Sequence, residues 1–135
     1  LTPVDQIIFE EGKGDCLRTC IASILNLPVL DVPNFADDDS FIGGAIQWLS
    51  RRGITALTVS FTGNGYDQSQ YFSCPEFCIL VGVSPRATPE KRKQHAVVGR
   101  AMGWSFKVEH DPHPSRDGIV GNPTFVMWIF PPLIP

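Results

Sequence analysis

Leu17, Cys20, Ile21, Ile24 and Leu25 recur at i, i+3, i+4, i+7 and i+8, which is one face of a helix sustained over three turns. A helix with one apolar stripe needs a second layer to bury it. The later sequence supplies that layer as short β-rich runs: Ile54–Phe61, the continuous apolar Phe77–Val83, His95–Arg100, Trp104–Asp111 and Thr124–Phe130. Before the stripe, Glu11-Gly12-Lys13-Gly14-Asp15 is rich in turn formers. Asp15 stands where an N-cap is needed, and Pro28 stands where the helix has to stop.

A second helix is expected from a cap at Ser40 to about Arg52, with Ile42, Ile46 and Leu49 inward and Gly53 as terminator, although Gly43 and Gly44 weaken it. Residues 28–39, 62–71 and 112–123 read as loops; the last of these holds three Pro and two Gly. Ala101-Met102-Gly103 reads as the turn of a hairpin. The expected fold class is α+β: one or two helices followed by a mostly antiparallel sheet. At 135 residues, 43% hydrophobic and 19% charged, a single domain spanning 1–135 is expected, large enough to fold without a metal or disulfide.

A net charge of −3, from 14 acidic and 11 basic residues, argues against nonspecific nucleic-acid binding, which needs a basic face. The cluster Lys91-Arg92-Lys93 lies in a polar stretch and reads as a solvated loop. No apolar run approaches the ~20 residues that span a bilayer. Leu1–Ile8 carries Asp5 and does not match an export signal, so a cytoplasmic setting with free thiols is the expectation. No P-loop, dinucleotide fingerprint or other cofactor motif is present in the sequence, and no cofactor is expected.

Chemistry enters through the cysteines. Cys16, Cys20, Cys74 and Cys78 form two C-x₃-C pairs. A thiol attacks as its thiolate, and the opening turn of a helix favours that anion through its unpaired N–H groups and partial positive charge. Cys16 has that position, at the edge of the apolar stripe, whereas Cys20 lies inside the stripe as a small hydrophobe. Cys74 and Cys78 flank a Pro at the entrance of a buried strand. A zinc site from the two pairs is the competing reading, but structural zinc more often uses C-x₂-C knuckles in polar surroundings, and no metal is expected.

Of the three histidines, His95 opens a strand, while His110 and His113 bracket a Pro-rich loop. With the hairpin centred on Gly103, His95 stands opposite Asp111 on the same side of the sheet, with Cβ atoms about 5 Å apart. A slip of one residue would instead set it against His110 and turn the pair to the other face. A carboxylate so placed fixes the imidazole tautomer, and cysteine, histidine and aspartate together make a constellation for acyl transfer.

The runs Gly14-Asp15-Cys16-Leu17-Arg18-Thr19-Cys20-Ile21-Ala22-Ser23-Ile24-Leu25, His95-Ala96-Val97-Val98-Gly99-Arg100 and His110-Asp111-Pro112 resemble the papain-like cysteine peptidase superfamily. Its short forms, such as double-glycine leader peptidase domains and small papain-like proteins of bacteria and their phages, are the most similar. The resemblance implies a nucleophile helix packed on an antiparallel sheet, with Cys16 as nucleophile, His95 as general base and Asp111 as orienter. It further implies a peptide or protein substrate, and a bacterial or phage-infected host cell as the setting. The family's oxyanion glutamine usually precedes the cysteine by about six residues; that position is Glu10 here, and Gln6 is the substitute donor if the glycine turn bulges. Leu17 also replaces the glycine that commonly follows the cysteine in leader peptidases. Two other readings stand beside the hydrolase: a catalytically weak module that binds a protein partner, such as a phage effector or inhibitor, and an acyltransferase using the same triad.

Overall fold

The computed structural model describes residues 1–9, 14–35, 41–60, 74–91, 93–102 and 105–130. Two helices precede a five-stranded, wholly antiparallel sheet, so the architecture is α+β. In chain order these are α1 (Cys16–Leu25), α2 (Phe41–Ser50), β1 (Thr55–Ser60), β2 (Cys78–Val83), β3 (Gln94–Met102), β4 (Ser105–His110) and β5 (Val120–Phe130), with a 3₁₀ turn at Val29–Asp31 between the helices. The sheet order is β1-β5-β2-β3-β4, so the last strand inserts between the first two. No helix among the described residues is long and apolar enough to cross a membrane.

The stripe on α1 does what its spacing implies. Leu17, Cys20 and Ile21 are buried with Ile79, Val81, Ala96, Val98, Met127 and Ile129, and with Ala45 and Leu49 of α2. The alternate residues Cys78, Leu80, Val97, Val126 and Trp128 form a second buried cluster. Both clusters draw on successive residues of β2, β3 and β5, so they lie on opposite faces of the sheet. Cys20 and Cys78 are therefore separated by the sheet, which removes the joint zinc site; among the described residues no group of three or more potential ligands is suited to a metal.

Several local expectations change. α1 ends at Asn26 rather than at Pro28: Asn26 takes left-handed angles (φ 59°, ψ 41°), and its N–H and that of Leu27 both return to the Ala22 carbonyl. Asp15 does not cap α1 with its side chain. β5 begins at Val120, four residues before the expected start and inside the Pro- and Gly-rich stretch. Val81 pairs with Phe125 but Val83 pairs with Val120, a bulge that takes up Gly121 (φ 69°) and Pro123 without breaking the strand. Gly53 ends the second helical segment as expected, in a left-handed conformation (φ 75°). The expected cap Ser40, the loop 62–71 and the hairpin tip at Gly103 lie outside the described residues.

The hairpin register also differs. Met102↔Ser105 through Gly99↔Val108 is centred half a residue beyond Gly103, and a bulge at Glu109 then pairs Val98 with His110. Gly99, at this shift, lets the Leu80 side chain approach to where its own Cβ would lie 2.4 Å from Leu80 Cδ1. Continued past His110, the register sets Val97 against Asp111 and His95 against His113. Two offsets of one residue add to two, which restores the original side of the ribbon.

Candidate active site

Asp111 and His95 meet as diagonal rather than directly opposed neighbours, a separation within reach of longer side chains. His95 Nε2 lies 2.6 Å from Asp111 Oδ1, and both residues are nearly sealed from solvent, at 4% and 3% exposure. The carboxylate also accepts from the His113 N–H at 2.9 Å and the Gly118 N–H at 2.7 Å. Burial alone would raise its pKa, but these three donors and the charge of His95 hold Asp111 down at about 2. An ionised acceptor at Nε2 fixes the proton there and leaves Nδ1 for another partner.

Cys16 is the second side chain that acts on this ring. With Asp111, it overcomes the effect of burial, which by itself disfavours the imidazolium. The net result is a His95 pKa raised from 6.5 to about 9. The ring thus has two neighbours, a thiol and a carboxylate, that each favour its positive charge. Cys16 is half-buried at the first turn of α1, while its helical neighbour Cys20 is fully buried. Burial pushes the Cys20 thiol well above its ordinary value and the Cys78 thiol to about 12, so neither is a nucleophile at neutral pH.

The start of α1 is held by an unusual use of Asp15. Its carboxylate is buried and turns away from the first-turn amides, accepting instead from the N–H groups of Ile7 and Ile8 and from Arg18 Nε and Nη2 at 3.1–3.3 Å. No side chain caps the amides that open α1, so the Cys16 N–H remains unclaimed by Asp15. The segment tied down by Asp15 carries Gln6. The Gln6 backbone N–H donates to the Pro112 carbonyl at 3.0 Å, and its Nε2 donates to the Ile8 carbonyl at 3.0 Å. Ile8 O in turn receives the Asp15 N–H. Gln6 is therefore buried between the helix start and the hairpin end, with no hydrogen-bond partner for Oε1 among the described residues.

The other sequence candidates fall into place around this cluster. His110 Nε2 donates to the Val4 carbonyl at 2.7 Å, which engages it in docking the N-terminal segment. Glu10 lies outside the described residues. Two further residues, to which the sequence assigns no role, also border the cluster. Arg116, in a left-handed conformation (φ 57°), binds the Asp5 carboxylate through both terminal nitrogens at 2.7 and 2.9 Å and also donates to the Asp111 carbonyl. His113 presents its ring to His95 edge-on, with centroids 6.2 Å apart. The sequence offers both only as loop residues after Pro112, and no spacing rule singles them out. Compared with models of protein families, with curated proteins and with solved structures, the chain matches none.

Proposed function

We propose that this chain is a papain-like thiol hydrolase that cleaves a peptide, isopeptide or related amide bond through an acyl-enzyme on Cys16. The observation that carries this reading is the group Cys16, His95 and Asp111, in which one buried imidazole bonds an ionised carboxylate and is acted on by a half-buried thiol. Such an arrangement has little value as a stabilising device, because burying an ion pair costs solvation that its own attraction barely offsets. Its value is in proton transfer.

In the proposed reaction His95 Nδ1 holds the proton of the Cys16 thiol, and the thiolate attacks the carbonyl carbon, forming the C–S bond. The carbonyl oxygen gains negative charge and is received by the Cys16 N–H and a Gln6 Nε2–H, the second hydrogen of an amide whose first is bonded to Ile8. The imidazolium gives its proton to the leaving nitrogen as the C–N bond breaks. Water, deprotonated by His95, then opens the thioester, releasing the acid and regenerating the thiol. Asp111 remains ionised throughout and keeps the ring in its working tautomer. The work is done by side chains and amides of this chain, with a peptide or protein as substrate.

Alkylation with iodoacetamide near neutral pH, mapped by mass spectrometry, tests the reading. Fast labelling confined to Cys16 and lost in His95→Ala is the expected result. Labelling of Cys16 no faster than an ordinary thiol would instead favour a catalytically weak module that binds a protein partner.

A further inference from the structure

Beyond Asp111 the chain carries a polar cluster that the proposed chemistry leaves unused. The His113 ring meets His95 edge-on at an interplanar angle of 84° and meets Phe9 edge-on at 5.4 Å. Its Nδ1 accepts from the Ser115 N–H at 3.0 Å and from the Ser115 hydroxyl at 2.9 Å. The ring proton therefore belongs on Nε2, as an uncharged donor. Burial, Arg86 and the neighbouring His95 all disfavour a second proton on the ring. Arg86, from the connection between β2 and β3, donates through Nη1 to the same Ser115 hydroxyl at 3.2 Å. That hydroxyl also receives the Asp117 N–H at 3.4 Å, and the Asp117 carboxylate acts on His113 in the opposite sense to Arg86.

Arg86 differs from the other arginines near the sheet and the site. Arg18, Arg100 and Arg116 each pair with a carboxylate. Arg86 is half-buried, and among the described residues its side chain bonds only to an uncharged hydroxyl. A partly desolvated guanidinium with unused donors is poised to take an anion in its plane.

The location assigns that anion to one side of the scissile bond. The acyl half of the substrate stays on Cys16, beside the amides of the helix start. The amine half departs toward the imidazole that protonates it, and that imidazole is met by His113, to which Arg86 is joined through Ser115. We propose that Arg86 and the Nε2–H of His113 form a carboxylate-recognising subsite on the leaving-group side, so that preferred substrates carry an acidic group immediately after the bond that is cut. This rests on Cys16 and His95 being the reacting pair. The carboxylate belongs either to an acidic side chain or to the free C-terminus of a substrate that ends one residue past the bond.

Three haloacetyl probes distinguish the sources: N-iodoacetyl-alanine amide (neutral), N-iodoacetyl-alanine (terminal carboxylate) and N-iodoacetyl-aspartate α-amide (side-chain carboxylate). Each alkylates a thiolate with loss of iodide, and the readout is the rate at Cys16. One carboxylate probe is expected to react about fivefold faster than the neutral one, the advantage of a partly exposed charge pair. The faster of the two identifies the source. The advantage should fall below about twofold in Arg86→Gln and in 0.5 M NaCl, and persist in Arg51→Gln, which removes the same charge in the exposed turn after α2. An activated Cys16 that reacts with all three probes alike, or a preference insensitive to both Arg86→Gln and salt, overturns the subsite alone. If the neutral probe reacts at Cys16 no faster than at an ordinary thiol, the hydrolase reading fails and the subsite with it.

Discussion

Two buried carboxylates, Asp15 at the helix start and Asp111 at the hairpin end, face the same physical problem and solve it differently. Each is withdrawn from water, each accepts backbone N–H groups, and each has a cationic partner. Asp15 is paired with Arg18, whose charge is permanent, so the cluster can only hold position. Asp111 is paired with an imidazole, whose charge can leave and return, and on which a thiol also acts. The same kind of burial thus fixes a segment in one place and readies a proton for transfer in the other. Asp15 supplies the scaffold by clamping the strap that bears Gln6, and under the proposed function Asp111 supplies the chemistry.

The sharpest break in that comparison is Cys16→Ala. It should abolish thiol labelling at this position and hydrolysis of an activated acyl ester such as p-nitrophenyl acetate, while shifting unfolding stability in urea by no more than about 1 kcal/mol. His95→Ala should slow ester hydrolysis by about 10²–10⁴-fold, and Asp111→Asn by less, because the base remains but its tautomer is no longer enforced. The Asp15→Ala variant should reverse the pattern: a loss of about 3–5 kcal/mol in urea unfolding, since Arg18 is left buried without its partner. Should Asp15→Ala unfold no more easily than Asp111→Asn, the division between scaffold and chemistry would be lost.

A smaller effect concerns the pH dependence of the His95–Asp111 pair. His95 is raised from 6.5 to about 9, so its contribution to stability is complete below about pH 6.5 and is lost as the pH climbs through 9. Asp111 is lowered from 3.8 to about 2, so its contribution is complete above about pH 4 and is lost as the pH falls through 2. Stability from this pair should therefore peak between about pH 4 and 6.5. Urea midpoints measured from pH 6 to 10 should decline in the wild type and decline less in His95→Ala.

The parts of the molecule that follow from periodicity were open to reading from residues alone. The α1 stripe, the inward residues of the second helix and the apolar core of β2 depend on side-chain pattern, and pattern is written in the chain. His95 and Asp111 were identified through a register that the hairpin does not use: the shift at the turn and the bulge at Glu109 each move the partner by one, and their sum returns Asp111 to the side of His95. An odd total would have separated them. Asp15 was placed correctly beside α1 but in the wrong role, because a nearby strap and Arg18 outcompete the helix amides for its oxygens. That competition is tertiary, and no local rule encodes it. The early start of β5 was hidden for a similar reason, since a bulge accommodates Gly121 and Pro123, residues that would otherwise end a strand. Arg86 and His113 come from loops 27 residues apart and are joined through Ser115.

NMR titration of the His95 ring, compared between the wild type and Cys16→Ala, addresses the proton-sharing chain without requiring a substrate. The ring should titrate near pH 9 in the wild type and at a distinctly lower pH in Cys16→Ala, because removing the sulfur removes one of the two groups that hold its charge. A midpoint near 6.5 that is the same in both proteins would mean that the thiol and the imidazole do not share a proton, and the acyl-transfer account would fail.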